Sequence, residues 1–90
     1  GLDFNFKENK FYINNKKIDL TWTESRILYY LIKNKSQVVT KELLFDFVWG
    51  VDDEFIDQNN LSVNISRIRN KLKPYDPIKT VFGVGYKWNS

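Results

Sequence analysis

The chain has 90 residues, 42% of them hydrophobic, and a formal net charge of +3, which suits one small domain with a single core. It contains neither Cys nor His, so disulfides, thiolate zinc sites and histidine-based catalysis are excluded, and no signal peptide or membrane-length apolar run is visible. We therefore expect a cytoplasmic domain that is not an enzyme, does not enter a membrane and requires no metal or cofactor.

The first twenty residues alternate apolar and polar side chains, with polar turns between the alternating runs, and predict an antiparallel sheet of three short strands. The period then changes to that of a helix. Thr21 and Glu24 have the spacing of a capping box, in which each residue satisfies the backbone N–H of the other. The helix is expected to end near Asn34, and its buried stripe consists of Ile27, Leu28, Leu31 and Ile32.

A second helix is predicted from Lys41 to Trp49, capped by Thr40 and ended by Gly50. Its expected core residues are Leu44, Phe45 and Val48, with Leu43 as a further candidate. The acidic loop that follows holds Asp52, Asp53, Glu54 and Asp57. Either a solvated linker or a calcium loop would be acidic, but the spacing and central glycine of an EF-hand are missing. Asp57 is close enough to the next helix to cap it or to meet its dipole.

The segment Asn59–Leu72 predicts an amphipathic helix, because four apolar residues recur at helical spacing: Leu61, Ile65, Ile68 and Leu72. The opposite face carries Val63, Ser66, Arg67 and Asn70, flanked by Asn64, Arg69 and Lys71. In a DNA major groove Arg can pair with guanine, Asn with adenine, and a small apolar group with the thymine methyl. An ordinary solvated helix face would have a similar composition, so this helix alone leaves both interpretations open.

The rest of the chain favours the first interpretation. Residues 58–90 contain six basic and one acidic residue, which points to a polyanionic partner at one end of the molecule. Residues 78–88 predict a β-hairpin around Gly83 and Gly85, which lack the third glycine and the following helix of a dinucleotide loop. The element order predicts an α+β fold: a winged helix-turn-helix with an N-terminal antiparallel sheet, three helices and a C-terminal hairpin.

Several segments, in the same order and spacing, resemble the C-terminal effector domain of OmpR/PhoB-type response regulators. They are LTWTE at 20–24, VVTKELL at 38–44, VWG at 48–50, NISRIRNKL at 64–72 and TVFGVGY at 80–86. The wording NNLSVNISRIR further resembles regulators that answer antibiotic and cationic-peptide stress in Gram-positive bacteria. The match covers nearly the whole chain, which would form one domain over residues 1–90 (sheet 1–20, helices 21–72, wing 78–88).

The resemblance implies that residues 59–72 form a recognition helix in the major groove. Base contacts would then come from Ser62, Val63, Asn64 and Arg67. Phosphate contacts would come from Trp49, Asn59, Asn60, Ser66, Arg69, Lys71, Tyr86 and Lys87. Trp49 and Tyr86 could instead be core aromatics, and Asn59 and Asn60 could be helix caps.

The chain departs from the family pattern at two places. Phe82 stands where the wing often carries an Arg that enters the minor groove, so it is expected either to pack against the hairpin and helix or to touch sugars. The family also begins with four strands and this chain shows about three, which suggests that the first strand lies upstream or was trimmed.

By the same resemblance, the partners would be double-stranded DNA with tandem half-sites about 10 base pairs apart, and a second copy of the domain. RNA polymerase would contact the loop at Asp52, Asp53 and Glu54. A sensor histidine kinase would act through a receiver domain that is absent from this fragment. A winged helix that binds another protein and no DNA is the alternative function, because the fold does not dictate DNA binding.

Overall fold

The computed structural model describes residues 1–50, 57 and 59–89, which form six strands and three helices. In chain order the elements are β1 (Leu2–Asn5), β2 (Lys10–Ile13), β3 (Lys16–Ile18), α1 (Trp22–Lys33), β4 (Val38–Thr40), α2 (Lys41–Trp49), α3 (Asn59–Leu72), β5 (Ile78–Val81) and β6 (Gly85–Trp88). The α+β class and the predicted order of elements are confirmed.

The first sheet is antiparallel, in the order β1-β2-β3. Asn14 and Asn15 connect β2 to β3 with φ angles of 49° and 67°, the left-handed values that a two-residue type I′ turn requires. Asn tolerates this region better than most residues because its short side chain can bond locally. The sheet contacts β6 through Phe4, whose ring packs edge to face on that of Trp88 with the ring centres 6.2 Å apart.

Helix α1 begins with the predicted capping box. The Thr21 hydroxyl accepts from the Glu24 amide at 3.1 Å, and the Glu24 carboxylate accepts from the Thr21 amide at 2.8 Å. The helix ends at Lys33 with Asn34 as its C-cap, in agreement with an end predicted near Asn34. Of its predicted stripe, Ile32 is only half-buried and packs against the edge of the core, while the fully buried residues are Ile27, Leu28 and Leu31.

Helix α2 is capped by Thr40, whose hydroxyl accepts from the Leu43 amide at 3.1 Å. Gly50 ends it with a φ of 86°, a value that glycine adopts without steric cost. Leu44 and Val48 are buried as predicted, whereas Phe45 is only half-buried and packs against Trp49 outside the core. The suggestion that Leu43 belongs to the core is wrong, since its side chain is exposed; it lies about 120° around the helix from the centre of the stripe formed by Leu44 and Val48.

The second sheet has the order β4-β6-β5, so β6 lies between the short strand before α2 and the strand after α3. β4 is thus the single strand pairing expected for Val38 and Val39. Gly85 starts β6 opposite Thr40, and a Cβ there would lie 2.0 Å from the Val39 carbonyl oxygen. The close approach of the two backbones therefore requires glycine. Within the described ranges, no helix is long and apolar enough to cross a membrane.

Candidate nucleic-acid interface

Helix α3 begins where the sequence predicted because Asp57 caps it. The Asp57 carboxylate accepts from the Asn59 amide at 2.8 Å, and its carbonyl accepts from the Asn60 amide at 2.9 Å. Asn59 and Asn60 therefore lie within the first turn and are not the caps. Both side chains are exposed at the helix N-terminus, where the Asp57 carboxylate already meets the helix dipole.

The predicted apolar stripe holds α3 in the core against α1. All four of its residues are buried: Leu61, Ile65, Ile68 and Leu72. This anchoring fixes the rotation of the helix about its axis. The side chains on the opposite side are consequently exposed at defined positions.

The exposed side of α3 consists of Ser62, Val63, Ser66, Arg67 and Asn70, called here the outward face. Val63 is 42% exposed and lies among hydroxyl, guanidinium and amide groups. No acidic residue occurs anywhere in α3. The face thus combines hydrogen-bond donors, acceptors and one apolar group without a charge that would repel phosphate, which is the chemistry needed to read base edges.

Asn64 does not belong to this face, so the structure corrects its predicted exposure. It is only 8% exposed, and its side-chain amide donates to the Asn60 carbonyl at 2.8 Å. Its neighbours on the helix, Leu61 and Ile65, belong to the core stripe, and Asn64 lies at the border of that stripe. A base contact from Asn64 would require its side chain to leave this position.

Lys71, which was predicted to contact phosphate, is paired with a carboxylate of the domain instead. Its ammonium group lies 2.6 Å from the carboxylate of Glu24, which is only 1% exposed. Burial raises the pKa of the Glu24 carboxyl, but hydrogen bonds from Lys71 and Thr21 and the Lys71 charge outweigh burial, so the pKa lies below its ordinary value. The ion pair joins α3 to the start of α1, and Lys71 is therefore mainly structural.

Arg69 joins α3 to the hairpin. Its guanidinium donates to the Ile78 carbonyl at 2.9 Å and to the Thr80 hydroxyl at 2.7 Å, and it lies 5.9 Å from the centre of the Tyr86 ring. The predicted phosphate contact would compete with these bonds. We therefore assign Arg69 to positioning β5 and β6 relative to α3.

Tyr86 and Trp49 fit their core alternatives better than phosphate contacts. Tyr86 is buried among the core side chains in the middle strand of the second sheet. Trp49 is half-buried at the end of α2, with its ring 4.8 Å from that of Phe45.

The hairpin formed by β5, β6 and their turn, called here the wing, has an apolar tip. Phe82 is 90% exposed and Val84 is also exposed, so the suggestion that Phe82 packs against the hairpin and helix is wrong. Lys79 lies 3.4 Å from Asp76, and in the strand register it faces Lys87, which is partly exposed. Lys87 remains accessible to a phosphate.

The predicted polymerase contacts Asp52, Asp53 and Glu54, and the calcium alternative for this loop, lie outside the described residues. Among the described residues, no cluster of three or more potential metal-ligating side chains occurs.

Three helices, a strand that links the second helix to the C-terminal hairpin, and an exposed helix face beside that hairpin define a winged helix-turn-helix domain. Over residues 15–88 the chain matches the protein family described as "Transcriptional regulatory protein, C terminal". The chain belongs to this family, as an effector domain of the OmpR/PhoB type. The predictions that it is a transcriptional regulatory domain and not an enzyme are therefore confirmed.

Individual relatives agree with this assignment. The response regulator ArlR of Staphylococcus aureus is 42% identical over 89 residues, which cover 96% of this chain and 40% of ArlR. The chain thus spans less than half the length of this curated relative.

Solved structures are similar along almost the entire chain. The C-terminal domain of the nisin resistance regulator NsrR is 40% identical, with a TM-score of 0.82 over 100% of this chain and 93% of that one. DrrB, an OmpR/PhoB homologue from Thermotoga maritima, is 28% identical, with a TM-score of 0.87 over 99% of this chain and 42% of that one. The DNA-binding domain of Klebsiella pneumoniae RstA, solved in complex with the RstA box, is 26% identical. Its TM-score is 0.83 over 98% of this chain and 90% of that one.

Proposed function

We propose that the domain binds double-stranded DNA sequence-specifically by placing α3 in the major groove, with the wing at the adjacent backbone and minor groove. The observation that carries this proposal is the outward face of α3, which is exposed, free of acids and held in a fixed rotation by the buried stripe. The RstA domain, which shares this fold, was solved with its DNA box, and this supports the same use here.

In this arrangement base contacts come from Ser62, Val63 and Arg67. The Arg67 guanidinium can donate two parallel bonds to a guanine, and the Val63 methyl groups can contact a thymine methyl. Asn64 is left out because its amide is already bonded within the helix.

Phosphate contacts are assigned to side chains at the edges of the same surface. Asn59 and Asn60 stand at the helix N-terminus, Ser66 is exposed on the outward face, and Lys87 is accessible on the wing. Such contacts orient the domain on the duplex without reading its sequence.

The full-length protein is proposed to be a cytoplasmic response regulator. Two copies would bind tandem half-sites, RNA polymerase would contact the loop at Asp52, Asp53 and Glu54, and a sensor histidine kinase would phosphorylate a receiver domain. The 40% identity to the nisin resistance regulator's domain supports a role in antibiotic stress. These partners would bind through parts of the protein other than the outward face.

The proposal is tested by selecting bound sites from a random duplex library and titrating the recovered site and a scrambled duplex at several salt concentrations. We expect a preferred site, and a log K that falls linearly with log salt because phosphate contacts release counterions. Failure to bind any duplex would instead support the alternative of a protein-interaction module.

A further inference from the structure

The wing presents a bulky aromatic side chain that none of the described residues covers. Phe82 is 90% exposed in the turn between β5 and β6, and Val84 in the same turn is exposed as well. The turn residues Phe82, Gly83 and Val84 carry no charge. The tip therefore cannot make the ionic contact of a basic wing, and its largest group is apolar.

The wing is held rigidly against the rest of the domain at two points. Arg69 of α3 bonds to Ile78 and Thr80 on β5 at 2.9 and 2.7 Å. In the turn itself, the amide of Lys41, the first residue of α2, donates to the Val84 carbonyl at 3.0 Å. Because β5 is bonded to α3 and the turn is bonded to the start of α2, the backbone that carries Phe82 is held in place before DNA binds, which lowers the entropic cost of binding.

From this placement we propose that Phe82 is a wedge that enters the minor groove and partly unstacks one base step next to the major-groove site read by α3. The inference rests on the proposed DNA binding. Apolar side chains that insert between base pairs from the minor groove kink the duplex, and the unstacking is offset by burial of the inserted group. An exposed ring that carries no hydrogen-bonding group is suited to insertion and unsuited to phosphate binding.

The proposal also predicts a sequence preference that α3 does not read. Pyrimidine–purine steps, TA above all, unstack and kink with the least energy. The selected sites should therefore contain such a step at one fixed distance from the bases that α3 contacts, although Phe82 forms no hydrogen bond with it.

The test uses the 90-residue chain and its selected duplex, with a fluorescent 2-aminopurine placed at successive steps and a donor and acceptor dye at the two ends. Wild-type protein should raise 2-aminopurine fluorescence at one step outside the α3 site and shorten the end-to-end distance. Phe82→Ala should abolish both signals and weaken binding roughly 5- to 50-fold, with an unchanged salt slope because no phosphate contact is lost.

Three further variants sharpen the comparison. Phe82→Leu keeps an apolar wedge and should retain part of the bend, and Val84→Ala, in the same turn, should leave the bend intact. Phe82→Arg should bind without unstacking and steepen the salt slope by about one, because it gains a phosphate contact. Circular dichroism of each free variant should match that of the wild type.

Each outcome gives a decision. If wild type binds its site but Phe82→Ala binds equally well, the wedge is refuted while the major-groove proposal stands. If Phe82→Ala loses affinity and the wild-type complex shows neither unstacking nor bending, the ring packs on sugars and the wedge is again refuted. If wild type binds no duplex, the proposed function itself fails.

Discussion

At the scale of single residues, three basic side chains on one helix have different roles because their surroundings differ. Arg67 is exposed on the outward face, Arg69 bonds to β5, and Lys71 pairs with buried Glu24. Position along α3 separates Arg67 from the other two. Only the contacts show that Arg69 and Lys71 already have partners within the domain.

The first prediction compares the two arginines. Arg67→Ala should weaken binding to the selected site by roughly 1 to 3 kcal/mol and relax discrimination at one base pair, without changing the free energy of unfolding. Arg69→Ala should lower the free energy of unfolding by about 1 to 2 kcal/mol, because two hydrogen bonds to the wing are lost. It should also weaken binding to selected and random duplexes alike.

Urea unfolding and competition titrations measure both effects, and each arginine variant is the matched control for the other. Identical behaviour of the two variants would show that the outward face does not lie in the major groove.

The second prediction concerns acid stability. The pKa of Glu24 is lower in the folded than in the unfolded chain, so this group stabilises the fold above its unfolded pKa and the stabilisation disappears as pH falls through the folded pKa. Lys71→Met should raise that folded pKa, move the acid transition to higher pH and cost about 1 to 3 kcal/mol at neutral pH.

Thermal unfolding of the wild type and Lys71→Met, measured at a series of pH values from neutral to acidic, tests this shift of the acid transition. In the Glu24→Gln background, where the capping box can persist without a charge, Lys71→Met should cost much less. An equal cost in both backgrounds would mean that the ion pair contributes nothing beyond the packing of the lysine stem.

At the scale of elements, the wing depends on close packing between strands as well as on its turn. The left-handed φ of 77° at Gly83 belongs to the turn, whereas Gly85 is needed because the Val39 carbonyl would meet its Cβ at 2.0 Å. The pairing of β4 with β6 connects the wing to the start of α2. Distortion at Gly85 should consequently reach both helices of the helix-turn-helix.

The third prediction is that Gly85→Ala lowers the free energy of unfolding by about 2 kcal/mol or more, because the added methyl group has to push two backbones apart. Gly83→Ala is the matched control. Its Cβ meets open space, so only the positive φ is penalised, at about 1 kcal/mol. Denaturant titration of both variants checks this order, and a Gly85→Ala protein as stable as wild type would contradict it.

At the scale of the whole molecule, the positive charge that remains available is smaller than the sequence suggests. Lys71 is paired with Glu24 and Lys79 lies against Asp76, so two of the six basic residues after position 57 have acidic neighbours. Arg67 on the outward face and Lys87 on the wing remain available to bind DNA. The acids at 52–54 would be repelled by DNA if they faced it, and we expect them to face away from it.

The fourth prediction tests that expectation in the full-length regulator. Neutralising Asp52, Asp53 and Glu54 as amides should reduce activated transcription in vitro, while promoter affinity stays equal or becomes slightly tighter because negative charge is removed. Neutralising Asp3, Glu8 and Asp19, three exposed acids in and beside the first sheet, changes the net charge by the same amount and serves as the control. Unchanged activation would show that the loop is only a linker.

Residues close in the chain were sufficient to predict much of this protein. The capping box of α1, the Thr40 cap, the glycine that ends α2 and the buried stripe of α3 were all predicted correctly. For α3 the sequence offered Asp57, Asn59 and Asn60 as caps, and the structure selects Asp57. Caps join residues two or three positions apart, and a helical stripe follows a fixed period, so both leave a signal in the sequence. The element order then predicted the fold, and five sequence segments carried the resemblance to the family.

Only the tertiary structure decided which of the exposed-looking polar residues are free. Lys71 and Glu24 are 47 positions apart, and Arg69 is 9 and 11 positions from its partners on β5. Asn64 lies at the edge of the stripe, where periodicity does not decide between core and surface. The exposure of Phe82 and the need for glycine at position 85 depend on how the wing packs against the rest of the domain. Such contacts follow no sequence period. They form between elements that are distant in the chain, and local sequence patterns do not show how those elements pack against each other.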